Sequence, residues 1–314
     1  MKLISLDEIK KVLPSIDLMA EIGAGFGAYS AGRSVVPPVG ELIFSEPPGE
    51  VHIKYGYIKN DDYYVIKIAS GFFENHKLGL PNSNGMMLLF SQKTGELIAV
   101  LADEGYLTDV RTAVAGAIAA QYLAPQKVEK IGIVGTGIQA RLQLEYLKGV
   151  VNCTDVLVSG RSEEKLAAYK DDMEQAGFSV ETTTNPDDVA SSCNLIVTTT
   201  PATEPLIRMA ALNTSGVHIT AMGSDTPHKQ EIDADILASA DLIVADSIPQ
   251  CMARGEIFKA LEAGVIKTES LVELGHFVLR QHPGRTEEDQ LTIADLTGVA
   301  VQDIAITKAV YEAL

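Results

Sequence analysis

Cations and cysteines are scarce in this chain of 314 residues. Lysine and arginine number 25 against 42 aspartates and glutamates, a formal charge of −17. Nucleic acid and anionic membrane surfaces both need a basic face, so neither is expected as a partner. Only three cysteines occur, Cys153, Cys193 and Cys251. They lie far apart, in neither metal-ligand nor paired spacing, which suits a reducing cytoplasm. With six histidines in no H-x-x-x-H spacing, and no C-x-x-C, no metal is implied. Long hydrophobic runs are also missing: the longest, Ala113 to Ala120, is too short to span a bilayer, and Met1-Lys2-Leu3-Ile4-Ser5 lacks a signal-peptide core. What remains is an ordinary soluble globule, 46% hydrophobic, expected in the cytoplasm and long enough for two domains. If so acidic a protein binds an anion, it must concentrate its few cations locally.

The stretch Lys130-Ile131-Gly132-Ile133-Val134-Gly135-Thr136-Gly137-Ile138-Gln139-Ala140 runs an apolar strand into a glycine-rich turn and then a helix. Gly135 permits a turn that a Cβ would obstruct, Gly137 lets a pyrophosphate approach the backbone, and Ala140 stands where a small residue packs helix on strand. The first free amides of that helix would meet the phosphate charge. Strand-like runs follow at Asp155 to Ser159, Ser179 to Thr183, Leu195 to Thr200, His218 to Met222 and Leu242 to Ala245, with amphipathic helices at Lys165 to Gln175 and Ile257 to Ala263. This rhythm predicts a doubly wound parallel sheet, a Rossmann domain, over residues 119–301. After the second strand the chain reads Ser159-Gly160-Arg161-Ser162, with no carboxylate before Glu163. Arg161 can pair with a 2′-phosphate, stack on adenine or cap a loop; the missing acid favours NADP(H) over NAD(H).

The preceding segment has a different texture. Ser5-Leu6-Asp7-Glu8 opens a capped helix, and a second helix is expected from Ser15 to about Ala28. Strands are predicted at Val51 to Tyr57, Tyr63 to Ala69, Gly85 to Phe90 and Leu97 to Leu101, with turns at Asn60-Asp61-Asp62 and Lys93-Thr94-Gly95. This is a smaller α+β domain.

Three residues stand out as candidates. Lys67, inside Val65-Ile66-Lys67-Ile68-Ala69, points either to solvent from an edge strand or into an enclosed anionic ligand. Lys54 is a similar, weaker case. Arg111 and Thr112 fall in the expected first turn of an alanine-rich helix with Thr108 as its N-cap; a cation there makes sense beside a bound carboxylate, and Lys67 with Arg111 would make a clamp. Asp225 follows a strand of the nucleotide sheet at its carboxyl end, where such folds bind ligands. It is either a proton donor or an N-cap or Asx turn before Pro227.

Taken together, Lys67 with Phe72-Phe73-Glu74-Asn75, Leu107 to Ala113, Gly135 to Ala140, Ala221 to Asp225, Lys229-Gln230-Glu231 and Thr297 to Asp303 make the chain resemble the ornithine cyclodeaminase and mu-crystallin family, nearly end to end. The resemblance implies a homodimeric oxidoreductase: residues 1–118 with 302–314 hold substrate and the dimer surface, and the Rossmann domain holds NAD or NADP. It implies that Lys67 and Arg111 bind a substrate carboxylate and that Asp225 handles the proton on nitrogen. Thr112, Gly135, Thr136, Gly137, Ile138, Gln139, Ser162, Thr200, Met222 and Lys229 would line the cofactor, with Leu296 and Thr297 in a loop near nicotinamide and substrate. Members similar to the cyclodeaminase carry an arginine soon after the proline pair, where this chain has Val39-Gly40, and an acidic cofactor residue where it has Arg161. Arg33 and Lys54 are the candidate substitutes for that arginine. The expected reaction is reduction of Δ1-pyrroline-2-carboxylate or Δ1-piperideine-2-carboxylate to an L-amino acid such as L-proline. Cyclodeamination of ornithine, amino-acid dehydrogenation and a non-enzymatic mu-crystallin-like role are the alternatives.

Overall fold

The structure, a computed structural model, describes residues 1–314. They form two compact units, Met1–Arg111 with Val299–Leu314, and Thr112–Gly298. No helix is long and apolar enough to cross a membrane.

The first unit is built on a seven-stranded sheet. Its strands are β1 (Lys2–Ser5), β2 (Ser34–Val35), β3 (Gly40–Ser45), β4 (Pro48–Ile58), β5 (Tyr63–Phe72), β6 (Ser83–Ser91) and β7 (Leu97–Ala102). They run in the order β1-β7-β6-β5-β4-β2, with β3 also on β4, antiparallel except for β1 beside β7. The four strands expected from sequence are present and longer than expected. The very short β1 and β2 and the largely exposed β3 lacked an alternating apolar signal. Ser5 makes both halves of the capping box with Glu8. The second helix runs Leu18–Ser30, not from Ser15, because Pro14 sits in a 3-10 turn at Leu13–Ser15 and Asp17 caps the helix through the Ala20 amide.

The last helix, Ala300–Glu312, packs along Leu18–Ser30 and across β4, β5 and β6. Ten of its thirteen residues are buried, as expected of a helix covered on nearly every side. Beneath it the period of two along β4 turns His52, Lys54 and Gly56 inward while Tyr55 and Tyr57 face out. Position thus buries charged side chains of this sheet.

The second unit holds an eight-stranded, all-parallel sheet. Its strands are β8 (Ile131–Val134), β9 (Asp155–Ser159), β10 (Ser179–Thr183), β11 (Leu195–Thr198), β12 (Val217–Ala221), β13 (Leu242–Ala245), β14 (Leu271–Glu273) and β15 (Leu291–Asp295). The order β10-β9-β8-β11-β12-β15-β13-β14 is doubly wound: the chain leaves β8 in one direction and resumes on its other side at β11, a topological switch point. The two strands not read from sequence, β14 and β15, are short, and β15 ends on an aspartate buried in the sheet.

Helix Tyr106–Leu123 corrects two expectations. It starts two residues before Thr108, because Glu104 (φ 55°) and Gly105 (φ 88°) turn the chain sharply and buried Asp103 accepts the Leu107 amide at 2.8 Å. Asp103 is therefore its cap, and Arg111 lies beyond the first turn. The two compact units divide at 111/112 and 298/299. Arg111 bonds to Gln302 and Asp303 of the first unit, whereas the next residue, Thr112, accepts a bond from Gln143 in the second. Removing the cap, Asp103→Ala, is expected to destabilise the fold by about 1 kcal/mol in chemical denaturation. An unchanged midpoint would reassign the helix start.

Candidate functional site

In the first unit, the charge pattern converges on one carboxylate. Lys67 and Lys54 face each other in the β4–β5 register, and their relative exposures are only 2% and 6%. Arg111 is 5% exposed. Lys67 Nζ and Arg111 Nε each lie 3.2 Å from Asp303 Oδ1, and Arg111 also donates to Gln302 Oε1 at 2.8 Å. Neither Asp303 oxygen makes a well-directed hydrogen bond, so charge rather than directed bonding holds it. The solvent-facing reading of Lys67 is thus overturned: β5 is an interior strand roofed by the last helix. Of the two candidate substitutes for the missing arginine, Lys54 stands beside Lys67 whereas Arg33 is exposed.

Burial and the neighbouring Arg111 guanidinium bring the Lys67 ammonium down to about 7, opposed by Asp303. Like charges directly across a sheet repel, and burying them is unfavourable unless an anion answers. The cluster is suited to receive a carboxylate, which would favour the protonated amine.

In the second unit the glycine turn lies at the switch point. Gly135 (φ 118°) occupies left-handed space, and a Cβ there would come within 2.6 Å of Thr199 Oγ1. A Cβ on Gly137 would meet open space. Helix Ile138–Leu147 starts at Gly137 with no side-chain cap, and Ile138 is exposed. An uncapped ten-residue helix facing open space beside a bare glycine suits a pyrophosphate, so the residues present fit a dinucleotide. Arg141 braces the turn from beneath, donating to the Thr136 carbonyl at 2.6 Å. After β9, Arg161 is exposed, and Ser162 caps the next helix through the Lys165 amide.

Thr200 and Met222 leave the carboxyl ends of β11 and β12, neighbours in the sheet. Asp225 follows, with its Oδ1 2.6 Å from Lys229 Nζ and its side chain 36% exposed. Arg254 donates to the Asp225 backbone carbonyl. Asp225 therefore stands as an ion-paired, partly exposed carboxylate rather than one enclosed by apolar groups. Thr297 is buried; its hydroxyl donates to Asp246 at 3.2 Å and accepts from Gln250 at 2.8 Å. Leu296 is buried too, its amide donating to the Ala221 carbonyl at 3.0 Å. In the sequence, Asp303, Gln302 and Glu231 stand out only as parts of the matching motifs. No local signal singles out Asp303, because the same helix also carries Gln302, Lys308 and a second acid, Glu312.

The chain thus comprises a doubly wound α/β unit with a glycine-rich turn at its switch point, and an α+β unit that buries Lys54, Lys67 and Arg111. The chain belongs to the ornithine cyclodeaminase/mu-crystallin family, whose profile matches residues 2–314. It is 40% identical over 316 residues to an uncharacterized cyclodeaminase of Sinorhizobium fredii, covering 99% of this chain and 95% of that one. A Δ1-pyrroline-2-carboxylate reductase of Bacillus cereus is 28% identical over 315 residues, covering 99% and 96%. Among solved structures, an archaeal alanine dehydrogenase dimer with bound NAD superposes with a TM-score of 0.90 at 31% identity, covering 100% and 95%.

The Lys67 environment sets a pH dependence. Its folded-state value, about 7, is below the ordinary 10.5, so across that window the unfolded chain binds more protons. Stability should then rise with pH from 7 upward, by at most about 1.4 kcal/mol per unit. Unfolding by denaturant at stepped pH should show this rise in the wild type and a flatter profile in Lys67→Met. Parallel profiles would mean that Lys67 is not depressed.

Proposed function

We propose that this chain uses NAD(P)H to reduce a small C=N bond next to a carboxylate. The substrate is Δ1-pyrroline-2-carboxylate or Δ1-piperideine-2-carboxylate, and the product a cyclic L-amino acid such as L-proline. The observation that carries this reading is the buried Lys67–Arg111 pair, both 3.2 Å from one carboxylate oxygen, because such a pair is built for a carboxylate. The Bacillus cereus relative is named for the first of these substrates, and the bare glycine turn supports a dinucleotide.

A reduced nicotinamide, when bound, supplies the hydride. Lys67 and Arg111 hold the substrate carboxylate and thereby orient the imine carbon, a positioning effect that lowers the barrier. Asp225, kept beside the Lys229 ammonium, holds the proton on the imine nitrogen by accepting its N–H, which keeps the adjacent carbon electrophilic. Thr112, Ile138, Gln139, Thr200, Met222 and Leu296 are assigned to the cofactor by resemblance. Thr297 carries the same assignment for substrate. Arg161, with no acid beside it on its turn, favours NADPH by taking the 2′-phosphate.

Oxidative deamination of a small amino acid is the second reading. It is favoured by the 31% identity to the archaeal alanine dehydrogenase, and it would use the same carboxylate holders. The first unit also exposes Leu42, Ile43 and Phe44 on β3, an apolar patch suited to a second copy of the chain. A homodimer in sedimentation is expected; a monomer at micromolar concentration would rule it out.

The reading is tested by following nicotinamide absorbance with cyclic imines and amino acids, using NADPH and NADH. Cyclic imino acids should be turned over fastest, with NADPH preferred, and Asp225→Asn should bind cofactor yet lose at least about 100-fold in turnover. Ammonia release from ornithine without net NAD(P)H consumption would point to cyclodeamination. Alanine-dependent NADH formation, with cyclic imines inert, would establish the second reading.

A further inference from the structure

Two segments of the second unit carry residues assigned to cofactor and imine: Thr198–Thr200 leaving β11, and Met222–Asp225 leaving β12. One side chain from a third segment joins them. Glu231 Oε1 accepts from the Thr200 amide at 2.5 Å and the Thr200 hydroxyl at 2.8 Å. Its Oε2 accepts from the Thr198 hydroxyl and the Gly223 amide, both at 2.8 Å. Glu231 is fully buried. A Cβ on Gly223 would collide with the Thr200 carbonyl and with Glu231, so the two segments touch where only glycine fits.

Glu231 is itself held. The Glu256 carboxylate accepts the Glu231 amide at 2.7 Å and the Ile232 amide at 3.2 Å. Burial pushes the Glu231 carboxyl up, and the Thr198, Thr200 and Gly223 donors pull it back. Two backbone amides at the ends of separate strands find their acceptor in this one carboxylate, and buried amides without one are strongly disfavoured.

We propose that Glu231 is a positioning residue that locks the ends of β11 and β12 into one rigid edge of the dinucleotide seat. It acts through Thr200, Met222 and Asp225 rather than by touching cofactor or substrate. The inference rests on the reading of this unit as NAD(P)-binding.

Glu231→Gln keeps the volume but turns one side of the group into a donor, which faces either the Thr200 or the Gly223 amide. The test reads amide exchange in the cofactor-free protein, and NADPH and NADH affinity from nicotinamide fluorescence. The expected result is cooperative melting, faster exchange at Thr200 and Gly223, and dinucleotide affinity weakened about tenfold, equivalent to about 1.4 kcal/mol. Thr198→Val, which removes one donor to the oxygen that holds Gly223, should weaken affinity about threefold, and it carries the test if Glu231→Gln does not fold. Unchanged affinity in the folded variant overturns the proposal. Failure of the wild type to bind either dinucleotide overturns the NAD(P) reading on which it rests.

Discussion

The first unit is organised around an electrostatic constraint: two cations, Lys67 and Arg111, are enclosed with one carboxylate, Asp303, that each approaches to 3.2 Å. Ion pairs so deep in a protein contribute little to stability, since desolvation offsets attraction. A packed apolar trio would fold as well. Their presence, with Lys54 directly across the sheet, therefore speaks for recognition of an anion rather than for folding.

Several features of the first unit follow from that enclosure. The last helix must cross β4, β5 and β6 to bury these strands, and it brings Asp303 and Gln302 to the cations. The sharp turn at Glu104-Gly105, with Asp103 as cap, sets the helix from which Arg111 reaches the same carboxylate. In the second unit the corresponding constraint is geometric. The switch point between β8 and β11 leaves a bare glycine turn, and Glu231 fastens the neighbouring strand ends.

Much of this was legible in the residues. The doubly wound sheet showed in its spacing because fully buried parallel strands read as short apolar runs. Lys67 showed because a cation in such a run needs a reason, and Gly135 and Gly137 because the turn demands them. Other elements left no local mark. Thr108 looked like a cap because threonine often is one, but the buried acid Asp103 lay five residues upstream, before a positive-φ pair that sequence does not advertise. Asp303 and Glu231 are ordinary acidic residues in sequence; only the strands and helices packed around them make them buried acceptors. Asp225 was found by its position after β12, but its Lys229 partner, and so its ion-paired state, depended on the course of the loop.

The central claim, that the enclosed cations wait for a carboxylate, is tested most directly by calorimetry of L-proline binding to the NADP⁺-loaded protein at pH 8 in buffers of different ionisation enthalpy. With Lys67 near 7 when free, binding should take up a large fraction of a proton, and Lys67→Met should abolish that uptake. Tight binding with no proton uptake, unchanged in Lys67→Met, would contradict the account.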